Sequence, residues 1–107
     1  MSQANTTEGA TLTAYQQYVE QVMKDRGFED ERISQKFMLL LEEAGEFAKA
    51  ARKQAHLAQA TDSPPEDVND AVADVFAILL DLCNKLHLNL EAAFIAREQK
   101  NQSRTWE

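Results

Sequence analysis

The sequence predicts an all-α fold, an antiparallel four-helix bundle-like protomer that assembles into an oligomeric bundle. Gly and Pro are scarce, three and two in 107 residues, while Ala, Leu, Glu, Gln and Lys, which disturb a helix least, are abundant. Apolar residues recur at helical spacing in four separated stretches. Short connections join those stretches, and short connections favour antiparallel neighbours.

Residues 1–10 (MSQANTTEGA) are polar and aperiodic and read as a flexible N-terminal tail, leaving 11–107 as one helical domain. The first helix is expected to start at Thr13, which has capping-box spacing to Gln16, and to end at Gly27; its apolar stripe is Tyr15, Tyr18, Val19, Val22 and Met23. A second helix runs from about Asp30 to the mid-fifties, with Phe37, Leu40, Leu41, Ala44, Phe47, Ala48 and Ala51 as its core face. Residues 59–65 form a loop, and Ser63-Pro64-Pro65-Glu66 restarts a helix: Ser63 caps, Pro64 suits the first helical position and Glu66 completes a capping box. The third helix carries Val68, Val72, Val75, Ile78, Leu79, Leu82 and Leu86 and reaches about His87. Asn89 caps a fourth helix whose apolar face is Leu90, Ala93, Phe94 and Ala96, before the chain turns basic and polar.

A chain of 107 residues is one domain. It buries only about 60–70% of its unfolded surface, so a second copy is a natural way to enlarge the core. The formal charge of −7 argues against non-specific binding to nucleic acid or a membrane surface, since both need a basic footprint. Cys83, the single cysteine, lies in the apolar stretch ILLDLCNKL and reads as a buried small hydrophobe in a reducing compartment. No apolar run approaches the roughly 20 residues of a membrane span, and no signal-peptide pattern opens the chain. The expected location is the cytoplasm.

Glu43 and Glu46 lie in LLLEEAGEFAKA (39–50), and Asp70 and Asp74 in EDVNDAVADVFAILLDL (66–82). Residues three or four apart on a helix are neighbours, so each pair can aim two carboxylates at one point, and antiparallel helices can bring both pairs together. Such a cluster needs a cation, and magnesium, which takes oxygen ligands and keeps several waters, fits the residue types. The bland alternative is a solvated face, the usual fate of charged residues. Three things weigh against it: Glu43 and Glu46 border Leu39-Leu40-Leu41 and Phe47, Asp70 and Asp74 interrupt a nearly all-apolar helix, and Asp81 and Asn84 extend that stripe. Glu42 reads as a further ligand or as a solvated neighbour. Zinc is disfavoured, because His56 and His87 are far apart and one cysteine cannot make a thiolate site. Arg97, Lys100, Asn101 and Arg104, with Trp106 beyond them, form a basic cluster anomalous in so acidic a chain. Arg and Lys can hold phosphate oxygens; the alternative is a solvated basic end that complements the helix dipole.

With these residues in view, the chain resembles the MazG-like all-α nucleoside triphosphate pyrophosphohydrolases, over roughly residues 12–106. The family pattern is EExxE on one helix and ExxD on the next. Glu42-Glu43-Ala44-Gly45-Glu46 matches the first block, Asp74 takes the aspartate of the second, and Arg97, Asn101, Arg104 and Trp106 follow the family's tail in order. One departure stands out: Ala71 occupies the position of the second block's glutamate, with Asp70 immediately before it. The resemblance implies hydrolysis of a (deoxy)nucleoside triphosphate to the monophosphate and pyrophosphate, for nucleotide-pool clearance. It implies Glu43, Glu46 and Asp74 as magnesium ligands (manganese as a substitute), Asp70 as a replacement ligand, and Glu42 or Glu46 as the proton acceptor for the attacking water. Asn84, Arg97, Lys100, Asn101, Arg104 and Trp106 are the expected substrate contacts. A homodimer or homotetramer is implied, with sites built between helices of different subunits. Two alternatives stay open: a catalytically weak or inactive nucleotide- or metal-binding helical oligomer, and a phosphoribosyl-ATP pyrophosphohydrolase. Base and sugar preference are not legible; Tyr15, Tyr18, Phe37, Asn84 and Trp106 are candidates for a base pocket.

Overall fold

The computed structural model describes residues 10–28, 30–55 and 67–103. Among these residues the chain is all-helical, with four helices and no strand: α1 (Leu12–Asp25), α2 (Ile33–Gln54), α3 (Val68–Lys85) and α4 (Leu90–Gln102). The restart signal Ser63–Glu66, His56, Arg104, Trp106 and residues 1–9 of the expected tail lie outside the described residues.

The cap of α1 is Thr11, whose hydroxyl accepts from the Ala14 N–H at 3.1 Å. Thr13, the expected cap, is instead inside the helix and donates through both its N–H and its hydroxyl to Glu91 of α4, at 2.8 and 2.7 Å. Gly27 ends α1 as expected, at φ +79°, and Phe28 N–H reaches back to the Met23 carbonyl at 2.8 Å in a Schellman closure. Arg32 precedes α2, its N–H held by the Gln35 side chain at 3.1 Å. Asp67 caps the described start of α3, accepting from Asn69 N–H at 2.8 Å. At its other end His87 takes the left-handed conformation usually given to glycine, φ +58°, and Leu88 N–H closes onto the Cys83 carbonyl at 2.8 Å. Asn89 caps α4 as its sequence indicates, accepting from Ala92 N–H at 2.8 Å.

α3 is the central helix. It packs most extensively on α2, then on α1, and α1 carries α4. Ala71, Leu80, Asp81, Leu82 and Cys83 of α3 are buried, joined by Val19 of α1 and Ala50 of α2. The buried Cys83 agrees with its sequence reading, and burial pushes its thiol pKa up, away from the reactive thiolate. α1 and α4 meet at their N-terminal ends and cap each other. Glu91 receives the first donors of α1, while the buried Gln16 receives Leu90 N–H at 3.0 Å.

The face α2 turns to α3 is not the one its apolar spacing indicated. Lys36 and Ala50 are buried and Leu40, Glu43 and Phe47 half-buried, whereas Phe37, Leu41, Ala44, Ala48 and Ala51 are exposed. The helix is turned by one residue, about 100°, from the expected phase. In the observed phase Lys36, only 4% exposed, meets Asp81, 2% exposed, at 2.7 Å, and Glu31 also pairs with the same ammonium. Once both charges are enclosed, turning α2 back would strand Asp81 without its partner, and an unpaired buried charge is far costlier than an exposed leucine. The expected apolar face of α4 is largely uncovered: Leu90 is half-buried, and Ala93, Phe94 and Ala96 are exposed.

Candidate functional site on the α2–α3 pair

Lys36 stands near the start of α2 and Asp81 near the end of α3, so their contact makes the two helices antiparallel and sets their register. Glu43 lies seven residues beyond Lys36, and Asp74 seven residues before Asp81. Both helices rise about 1.5 Å per residue, which brings Glu43 level with Asp74. Seven residues are also nearly two turns, so each acid keeps to within about 20° of the side on which the ion pair sits. Three residues further, Glu46 comes level with Ala71, the position where the resemblance wanted a glutamate. Ala71 is 2% exposed, sealed in the helix contact.

Of the four expected ligands, Glu43 and Glu46 are half-buried at the pair's margin, and Asp70 and Asp74 are exposed. Glu42 points away, exposed, beside a shallow depression lined by Glu31, Gln35, Met38 and Leu39. Among the described residues no three His, Cys, Asp or Glu side chains gather into a group that could hold a metal ion.

The expected substrate contacts divide. Asn84 is committed to helix docking: its Oδ1 accepts from Gln16 Nε2 and its Nδ2 donates to the Gln16 carbonyl, both at 3.0 Å. Together with Glu20, Met23, Lys24, Asp81 and Lys85 it lines a pocket of about 160 Å³ between α1 and α3. Arg97 and Lys100 are exposed on α4, whose principal contacts are with α1 and not with the acidic pair. Asn101 is half-buried; its Nδ2 donates to Glu98 at 3.4 Å, and its Oδ1, shielded from solvent, has no hydrogen-bond partner among the described residues. Tyr15 and Tyr18 line a wholly apolar cleft of about 320 Å³ with Val19, Ala73, Phe76, Ala77 and Leu80. Tyr15 meets the Phe76 ring edge-on, centroids 6.0 Å apart. Phe37 is exposed on α2 and lines neither space.

Known families, curated proteins and solved structures give no match to this chain. What the site can do therefore rests on its own residues.

Sequence reasoning missed Lys36. Its signal was present: a lysine one turn before an apolar run, two turns before an acidic residue, and a lone aspartate in the apolar ILLDLC stretch. Burial pulls the Lys36 pKa down, but hydrogen bonds and charge from Asp81 and Glu31 outweigh it and hold the ammonium above its ordinary range. No helix among the described residues is long and apolar enough to cross a membrane.

Proposed function

We propose that the protein is a nucleoside triphosphate pyrophosphohydrolase of the cytoplasm, working as a homo-oligomer and dependent on magnesium or manganese. It hydrolyses a (deoxy)nucleoside triphosphate between the α and β phosphates, giving the monophosphate and pyrophosphate. The observation that supports this most is the register: the Glu42–Glu46 block and Asp74 occupy matching heights on the two most tightly packed helices. The resemblance named the same residues from their order alone.

The reaction adds water to the α-phosphorus and expels pyrophosphate, so a base must take the water's proton as it attacks. Glu46 and Glu42 are the carboxylates on offer beside the aligned pair Glu43 and Asp74. Carboxylates and a triphosphate share a sign, so charge balance depends on cations brought to the acidic block. Arg97 and Lys100, both exposed on α4, supply the side-chain part. Glu43, Glu46 and Asp74 would hold a divalent ion, which would supply electrostatic stabilisation of the leaving group. Since α4 leans on α1, and no metal-binding group gathers among the described residues, the proposed site is completed by a second copy.

The test is pyrophosphate release from a panel of nucleotides, with and without magnesium. Expected is magnesium-dependent turnover of at least one nucleotide, falling by about a hundredfold or more in Glu43→Gln and Asp74→Asn. Folded protein that turns over none of them refutes the enzyme.

A second reading, a nucleotide-binding oligomer without hydrolysis, is favoured by the sealed Ala71. No side chain stands there to act as a ligand, and Asp70 beside it is exposed. Nucleotide binding by calorimetry without pyrophosphate release would decide for it. Restoring the acid with Ala71→Glu is a poor rescue, because a glutamate forced into a closed contact strains the pair.

A further inference from the structure

The exposed apolar residues of α2 are ordered. Phe37, Leu41, Ala44, Ala48 and Ala51 follow one another at steps of four, three, four and three, the spacing of a coiled-coil seam. All are exposed, Leu41 at 74%, and Met38 beside them at 70%. This seam is distinct from the stripe through Lys36, Leu40, Glu43, Phe47 and Ala50 that faces α3, and lies about 100° around the helix from it. The seam is also graded. Its first half is large (Phe37, Met38, Leu41) and its second half small (Ala44, Gly45, Ala48, Ala51). Gly45 is not required by its own chain: its φ is not positive, and a Cβ there would meet nothing within 4 Å. Charge follows the same grading along one flank, with Glu42 near the large half and Lys49 and Arg52 near the small half.

We propose that α2 packs antiparallel against α2 of a second copy, about a two-fold axis close to Gly45. That arrangement lays each large half on the other copy's small half and brings Glu42 beside Lys49 of the second copy. A parallel pairing would set large on large and acid on acid. Small residues at the crossing let the two backbones approach closely, and an isologous contact of this kind closes on itself as a dimer. The assignment rests on the self-association proposed above and is independent of the chemistry.

The experiment uses the full chain with Cys83→Ala, so that only introduced thiols react. Gly45→Cys is expected to oxidise to a covalent dimer in high yield, since residues on the axis meet their own copies within disulfide reach. Ser34→Cys lies about 16 Å along the helix from the axis and is expected to stay uncrosslinked. In sedimentation, Leu41→Glu is expected to shift the assembly to a smaller species while circular dichroism shows its helices intact. Ser34→Cys crosslinking in place of Gly45→Cys, or an assembly indifferent to Leu41→Glu, overturns the surface while self-association stands. A wild type that sediments as monomer at all concentrations overturns both. Nucleotide turnover enters neither outcome, so the enzyme reading succeeds or fails separately.

Discussion

Lys36 shows how one side chain organises this molecule. Its ammonium, shared by Asp81 and Glu31 and lying 5.8 Å from the centre of the Phe28 ring, ties the α1–α2 connection, α2 and α3 together. Removing one member strands the other charge in a sealed contact. Lys36→Met is therefore expected to cost about 3–5 kcal/mol in urea unfolding, and Lys36→Met with Asp81→Leu to recover most of it. Because the folded Lys36 pKa is raised, its contribution is present at neutral pH and lost only as pH climbs through that raised value. Glu91 has the opposite sign. The Thr13 hydroxyl, then the Thr13 N–H, hold its carboxyl below the ordinary value of 4.5, against a smaller upward push from desolvation. Its contribution is present above the unfolded pKa and fades as pH falls through the lowered folded value. Glu91→Gln should flatten that acid limb of the stability–pH curve. His87, a non-glycine residue at φ +58°, is a site of avoidable strain. His87→Gly is expected to stabilise by about 1 kcal/mol, read as a rise in melting temperature.

At the scale of the helices, the caps decide where each begins. Asn89→Ala should cost about 1 kcal/mol by leaving Ala92 N–H without its side-chain acceptor. The four helices, the glycine stop of α1 and the Asn89 cap are legible in the residues because they depend on neighbours in sequence. The cap of α1 was misassigned because Thr11 and Thr13 have equal local claims. Gln16, the other half of the expected capping box, instead works across space, on Asn84 and on the Leu88 and Leu90 backbone. The phase of α2 was misjudged for a related reason. The helix carries two adjacent apolar stripes, and periodicity does not say which of them meets the same chain. Asn84 was expected to contact substrate and was a candidate for a base pocket. Here its partner is Gln16, a residue distant in sequence that no local pattern could supply.

Taken whole, the described residues bury few apolar side chains and leave many large ones in the open: six hydrophobic residues are buried, while twelve large ones are exposed. A fold stabilised by its copies gains stability by mass action, so the melting temperature is expected to rise with protein concentration. A melting temperature that ignores concentration would mean that the single chain is sufficient. The acidic block was legible as a pattern, yet its geometry was not, because level placement of Glu43 and Asp74 follows from an ion pair two turns away.

That ion pair works as a ruler. A single alanine inserted between Leu39 and Leu40 would leave Lys36 clasped to Asp81 and every helical hydrogen bond free to re-form. It would nonetheless swing Glu43, and everything after it, by about 100° and push it along by about 1.5 Å. Leu40, Phe47 and Ala50 would turn away from α3 together with Glu43, so a change of length between clasp and acid costs helix packing as well as register.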